Sequence, residues 1–210
     1  MSNHISQNRE PVVTGPDSEE YLSLGALLLE MVKVIALAIV IIIPIRVFLF
    51  QPFFVQGASM EPNFHDGQYL IINEFGYKHT DIPGVGAVKQ FRALERQEPV
   101  VFRYPKNPEQ YYIKRIIGLP GESVAIKDGV VYIYNTIHHE GYTLDESAYL
   151  EKNVKTSDMP KLTLSEDEYF VMGDNRSFSY DSRAFGPIHK KDLIGRVFLR
   201  AWPLSTVTLY

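Results

Sequence analysis

The sequence predicts a mainly β protein carried on one N-terminal membrane helix, and three observations lead there. A single long apolar stretch lies near the start of the 210 residues, centred on "VIALAIVIIIPI" at 34–45. After residue 57, six strand-length runs rich in Val, Ile, Tyr and Phe follow one another between turn residues. No sustained 3.6-residue apolar period occurs in that part of the chain, so strands rather than helices are expected to build its core. The expected architecture is one transmembrane helix followed by an all-β domain of antiparallel sheets.

Residues 1–20 are polar and include Pro11, Gly15 and Pro16, the composition of a flexible tail. Residues 22–55 form the anchor region. A span needs about 20 mostly apolar residues, so 34–45 must be extended at one end or both. The extension takes in Glu30 and Lys33, which stand three apart and can pair, and Arg46. Lys33 and Arg46 can both snorkel towards headgroups. One tilted helix from about residue 27 to about residue 50 then fits, with Pro44 near its end. A buried core helix and a cleavable signal peptide fit less well, the latter because the leader is long, polar and without a basic cluster. The segment reads as a retained anchor. Its flanking charges, Arg9 and Lys33 against Arg46, do not orient it.

The strand-length runs are "QYLIINEF" (68–75), "PVVFRYP" (99–105), "YYIKRIIG" (111–118), "ESVAIKDGVVYIYN" (122–135), "EYFVMGD" (168–174) and "IGRVFLRAWPL" (194–204). Asp128 and Gly129 between two apolar runs signal a hairpin, and "HDG" at 65–67 signals a turn before a strand. Residues 138–162 are polar and irregular, an insertion or long loop within a β domain that covers 56–210.

Composition removes several function classes. The net charge is −4 with no long Lys/Arg run, which disfavours a nucleic-acid binder. There is no cysteine, hence no disulfide, thiolate metal site or Cys nucleophile. None of the six histidines stands in a context that suggests a triad. His138, His139 and Glu140 lack the spacing of a zinc-binding helix.

Three places could carry chemistry. Ser59 lies in "FFVQGASMEPNF" (53–64), just beyond the apolar segment, with Gly57 and Ala58 leaving its approach open. It lacks the nucleophile-elbow pattern, because Glu61 stands where a second Gly is needed, and it needs a base. Lys114 sits in a strand whose faces alternate. Tyr112, Lys114 and Ile116 share one face; Ile113, Arg115 and Ile117 share the other. Each face thus carries one cation among apolar residues. A desolvated Lys can lose its proton and Arg cannot, so Lys114 is the candidate base, with a solvated strand lysine as the alternative. The third place is "GDNRSFSYDSRAFG" (173–186), dense in Asp, Asn, Arg and Ser. It reads as a solvated loop, an anion or metal site, or a buried polar network with Asp181 and Arg183 as a pair.

Taken together these stretches resemble the bacterial type I signal peptidases, membrane-anchored Ser/Lys proteases that remove signal peptides. The likeness runs from about residue 45 to 202 through four ordered blocks: "RVFLFQPFFVQGASMEPNF", "PVVFRYP", "YYIKRIIGLPGE" and "GDNRSFSYDSRAFG". It implies Ser59 as nucleophile and Lys114 as general base. It implies supporting roles for Gly57, Met60 and Pro62 around the nucleophile and for Ser179, Asp181, Ser182 and Arg183 in the fourth block, with Ser179 hydrogen-bonded to the lysine amine. It also implies coiled antiparallel sheets and no metal or cofactor. The N terminus would be cytoplasmic and the catalytic domain on the outer face of the cytoplasmic membrane. Preproteins with Ala-x-Ala-like cleavage sites would be the substrates, and the bilayer and the secretion translocon the partners. A non-catalytic peptide-binding module of the same fold and a protease with few clients are the alternatives. The chain departs from the family pattern at Asn63, where Thr is usual, at residues 97–99, where Gly-Asp commonly precedes the second block, and at Gly57, where some members carry an oxyanion-donating Ser. With Gly there, the oxyanion hole rests more on the Ser59 N–H.

Overall fold

The computed structural model describes residues 24–44, 50–77, 80–82, 86–88, 90–152 and 154–210. The chain divides into two compact units, Met1–Ile42 and Ile43–Tyr210.

The first unit holds helix α1, Leu24–Pro44. At 1.5 Å per residue it is about 30 Å long, the thickness of a bilayer's hydrocarbon core. Nearly all its side chains from 24 to 42 are exposed, although most are Leu, Ile, Val, Ala or Met. The helix is long and apolar enough to cross a membrane. Lys33 Nζ donates to Glu30 at 2.8 Å, the pairing that the i,i+3 spacing suggests. The tail at 1–20, with Arg9, and the flanking Arg46 lie outside the described residues.

The described strands of the second unit all pair antiparallel. Its strands are β1 (Phe50–Phe54), β2 (Tyr69–Asn73), β3 (Thr80–Ile82), β4 (Gly86–Val88), β5 (Pro99–Tyr104), β6 (Asn107–Gly118), β7 (Ser123–Lys127) and β8 (Val130–Tyr134). They continue with β9 (Tyr142–Thr143), β10 (Met159–Thr163), β11 (Glu168–Met172), β12 (Ile188–His189), β13 (Leu193–Trp202) and β14 (Thr208–Leu209), and a one-turn helix α2 (Ser182–Phe185) precedes β12. The main sheet runs β1-β2-β13-β5-β6-β11-β12, with β14 added to β13. A second sheet runs β10-β7-β8-β9, and β3 and β4 form a separate hairpin.

Alternation explains why the central strands read as continuous apolar runs. Along β5, Val100 and Phe102 enter one core cluster while Val101 enters another. Along β6, Ile113 packs on the Val101 cluster and Ile116 on the Val100 cluster. Ile117 enters a third cluster, built with β7, β8 and β11. The long strand β6 therefore has buried neighbours on both faces, which draws the two adjacent cations inside. The β7–β8 hairpin turns at Asp128 and Gly129, both in the left-handed region (φ 52 and 81), as its Asp-Gly pair demands.

Two differences from the sequence expectation stand out. The anchor region extends to 55 on sequence grounds and its span to about 50; residues 50–54 are instead strand β1, paired in continuous register with β2. Their apolar character comes from aromatic rings that fit a pleated surface: Phe50 packs on Phe198, Phe53 on Tyr111 and Phe54 on Tyr69, at centroid distances of 5.2, 5.4 and 5.0 Å. The stretch 138–162 is irregular over most of its length, but β9 and β10 tie its two ends into the second sheet.

Candidate active site

Ser59 follows β1 on a turn that two contacts hold in place. Val55 N–H donates to Gln68 O at 2.9 Å and Gly67 N–H donates back to Val55 O at 3.1 Å. Met60 and Phe64 are buried in the core beside Val55, so Met60 acts as a plug that fixes which way its neighbour Ser59 points. Gly57 has φ +86 and open space where a Cβ would stand, and its N–H donates to Asp66 Oδ1 at 2.6 Å. Pro62 is exposed on the same turn.

Lys114, in the middle of β6, is only 4% exposed. Its Nζ donates to Ser59 Oγ at 2.7 Å and to the Ile113 carbonyl at 2.8 Å. The Tyr112 ring centre lies 5.4 Å away. No carboxylate pairs with it among the described residues. Burial therefore dominates and lowers its pKa from 10.5 to about 8, against the opposing pull of the Asp181 and Asp174 charges.

Arg115, one residue on, is solved differently. Its Nε and Nη2 donate to the two oxygens of Asp174 at 2.7 and 2.6 Å, and Nη1 donates to Gln97 O at 2.7 Å. Asp174 also accepts from Asn63 Nδ2 at 2.9 Å, which gives the unusual Asn63 a place in the network.

The fourth block closes the site from the other side. Asp181 is fully buried and accepts from Gly173 N at 3.0 Å, from Arg183 Nε and Nη2 at 2.8 Å each, and from Arg183 N at 3.2 Å. Burial by itself would raise this carboxyl; the Arg183 guanidinium and the Gly173 N–H outweigh it and hold it below its ordinary 3.8. Ser182 Oγ accepts from Val171 N at 3.0 Å, which fastens α2 to β11. Ser179 Oγ is buried and makes no hydrogen bond among the described residues. It stands beside Asp181 closely enough to steady that charge, and the bond to Lys114 that the resemblance implied is not formed. Lys114 has turned to Ser59 and its own strand's carbonyl instead.

Two residues escaped the sequence reading. A Cβ on Gly173 would collide with both the Ser59 carbonyl and Ser179 Oγ, so this glycine allows the two segments to touch. Asn175 donates from its N–H to Ser59 O and from Nδ2 to Ala58 O, each at 3.1 Å. Its glycine-flanked block was visible, but a contact across more than a hundred residues leaves no periodic signal.

Beside Ser59 lies an open groove of about 730 Å³. Residues 53–59 form one wall and 109–114 of β6 the other, with Phe178 and Tyr180 at the rim. On one side of β6, Tyr111, Tyr112 and Ile113 pair with β5; on the other, β11 pairs only from Arg115 onward. The backbone at 109–113 thus presents a strand edge to the groove.

A buried lysine thus contacts a serine hydroxyl beside an unpaired strand edge, and the comparison with known families is specific. Residues 28–202 match the model described as signal peptidase, peptidase S26. The chain belongs to that family. Signal peptidase IB of Staphylococcus aureus is 33% identical over 194 residues, spanning 85% of this chain and 91% of that protein. A probable signal peptidase I-2 of Synechocystis is 35% identical over 209 residues, spanning 100% of this chain and 86% of that one. A crystal structure of a signal peptidase I from Enterococcus faecalis is 34% identical, covers 50% of this chain and 97% of that one, and has a TM-score of 0.41. The resemblance to bacterial type I signal peptidases is borne out.

Proposed function

We propose that this protein is an endopeptidase that removes signal peptides from exported preproteins, with Ser59 as nucleophile and Lys114 as general base. The observation that carries the roles is the 2.7 Å contact between Lys114 Nζ and Ser59 Oγ at a lysine that is 4% exposed. With a pKa of about 8, about a tenth of the amine is neutral at pH 7, and the neutral amine accepts the Ser59 proton along that same contact.

The geometry supports a sequence of balanced steps. Ser59 Oγ attacks the scissile carbonyl as its proton passes to Lys114. The developing oxyanion faces the Ser59 N–H, which makes no hydrogen bond among the described residues. The Lys114 ammonium then gives its proton to the leaving amine, the C–N bond breaks and an acyl-enzyme remains. Lys114, neutral again, takes a proton from water; the hydroxide opens the ester and Ser59 recovers its proton. Asp181 with Arg183, Asp174 with Arg115, and Ser182 hold the platform on which this occurs. The substrate enters in extended form as a strand against the 109–113 edge. Membership of the family supports small side chains near the cleaved bond, as in Ala-x-Ala.

The bilayer and the secretion translocon are natural partners for such a chain. Helix α1 acts as a single span, with the N terminus cytoplasmic and the β unit outside, where a cleavage site emerges while the signal's apolar core stays in lipid. The test incubates detergent-solubilised protein with a signal-bearing preprotein and sequences the new N terminus. Wild type should cut after a small residue and Ser59→Ala should not cut at all. Cleavage by purified Ser59→Ala, free of host peptidase, would remove Ser59 from its role. Protease added to inverted vesicles should spare the β unit, and digestion of it would reverse the orientation.

A further inference from the structure

The polar stretch 138–162 has no part in the chemistry above, yet it sends side chains into the platform behind the catalytic pair. Arg176 is the point of contact. Its side chain is fully buried, and each of its nitrogens is engaged. Nη2 and Nη1 donate to the Glu146 carboxylate at 2.5 and 3.1 Å, Nη1 also donates to Thr156 Oγ1 at 2.8 Å, and Nε donates to Gly173 O at 3.1 Å. Tyr149 OH donates to Glu146 at 2.7 Å and fixes the carboxylate in turn. The Tyr149 ring lies 4.1 Å from the Arg115 guanidinium, and its carbonyl accepts from Asn63 Nδ2 at 2.7 Å. The backbone that Arg176 holds at Gly173 is the same backbone that holds Ser59, through Asn175 N–H on the Ser59 carbonyl and the close approach at Gly173.

We infer that Glu146 is a positioning residue for the Ser59–Lys114 pair, acting through Arg176 on the 173–175 backbone and so on the Ser59 carbonyl. The inference rests on the reading of Ser59 and Lys114 as nucleophile and base. Glu146 touches no reacting atom. A buried ion pair contributes little net stability compared with apolar packing of the same volume, but it fixes geometry. A displacement of about 1 Å between reacting groups costs about 100-fold in rate. Without the Glu146 charge, Arg176 is left buried with a neutral partner and is drawn towards Asp174, the other carboxylate whose charge acts on it. That movement would shift the backbone that carries Ser59.

The experiment measures kcat, KM and the melting transition of full-length variants in detergent with a signal-bearing preprotein. Glu146→Gln should lower kcat by about 30-fold with KM within about threefold of wild type, since the groove is untouched. Glu146→Asp, which keeps the charge, should recover part of the loss. Tyr149→Phe, which keeps the ring against Arg115, should lower kcat by about threefold. His139→Ala, exposed on the same stretch, should leave kcat unchanged. Wild-type kcat in Glu146→Gln, a change in KM alone, or no difference between the Asp and Gln variants would overturn the inference. If Glu146→Gln shows no cooperative melting, a folded Tyr149→Phe with wild-type kcat overturns it equally. Ser59→Ala in the same assay separates the two levels. Cleavage by that variant defeats the nucleophile assignment, whereas an inert Ser59→Ala beside a fully active Glu146→Gln defeats this inference alone.

Discussion

Lys114 and Arg115 are neighbours on one strand, both cations and both buried, at 4% and 7% exposure, yet their surroundings differ in kind. Arg115 faces a carboxylate that meets it with two hydrogen bonds. Lys114 faces a hydroxyl and a carbonyl, neutral acceptors that orient the amine without holding its charge. The first arrangement keeps a charge and braces structure; the second makes a charge easy to lose, which suits the proposed base. Burial by itself gives neither result. What decides is whether the partner is ionised.

The largest expected effect comes from exchanging the two chemistries. Lys114→Arg keeps the positive charge but removes the base, and turnover should fall by about 1,000-fold or more. Substantial residual turnover would make the lysine structural. In the wild type, kcat/KM should climb with pH to a plateau above about 8, the pKa of the free enzyme's lysine; a level profile from pH 6 to 10 would contradict a lysine base. On the other face, Arg115→Met leaves Asp174 buried without its ionic partner. Denaturant unfolding should register a loss of about 3–5 kcal/mol, and a loss under about 1 kcal/mol would show that Asn63 alone satisfies the carboxylate.

Lys114→Met should do the opposite for stability. The folded-state pKa lies below the ordinary 10.5, at about 8. Below pH 8 the amine is protonated in both states, and its burial costs the fold on the order of 3 kcal/mol, less what its hydrogen bonds to Ser59 and Ile113 contribute. Between pH 8 and 10.5 the unfolded chain keeps a proton that the folded chain has released, so wild-type stability rises with pH. The inactive Lys114→Met should therefore melt higher than wild type at pH 7, with the gap closing towards pH 10.5. A variant less stable than wild type at pH 7 would mean that the hydrogen bonds outweigh burial. The smallest effect belongs to Ser179. Its hydroxyl has no well-formed hydrogen bond among the described residues and only steadies Asp181, so Ser179→Ala should leave stability within about 0.5 kcal/mol. Turnover should still fall by about 10-fold, because Lys114 needs a new neutral acceptor once Ser59 Oγ is bonded to the acyl carbon. The exposed Ser177→Ala should change neither, and equal effects of the two substitutions would make Ser179 part of the brace alone.

Much of this molecule could be read in one dimension because the signals are local. An apolar stretch of bilayer length, alternating strands and an Asp-Gly turn each express a short-range rule of geometry or solvation. The four blocks carried Ser59, Lys114, Asp181 and Arg183, and the mixed faces of β6 already demanded that its cations find partners or be buried. Three things were not legible. Residues 50–54 looked like the end of an anchor, since aromatic residues suit a membrane boundary and a pleated strand alike, and only pairing with β2 decides. Gly173 and Asn175 act on Ser59 from over a hundred residues away, where no spacing rule applies. The stretch 138–162 reads as an insertion or long loop because it is polar and irregular, and the contacts of Glu146, Tyr149 and Thr156 leave no local signal. The sequence determined that Lys114 could be a base. The tertiary structure decided that it is buried, that its partner is a neutral hydroxyl, and that the carboxylates nearby are occupied by arginines. Those are matters of which distant groups share a small volume, and the local order of residues does not encode them.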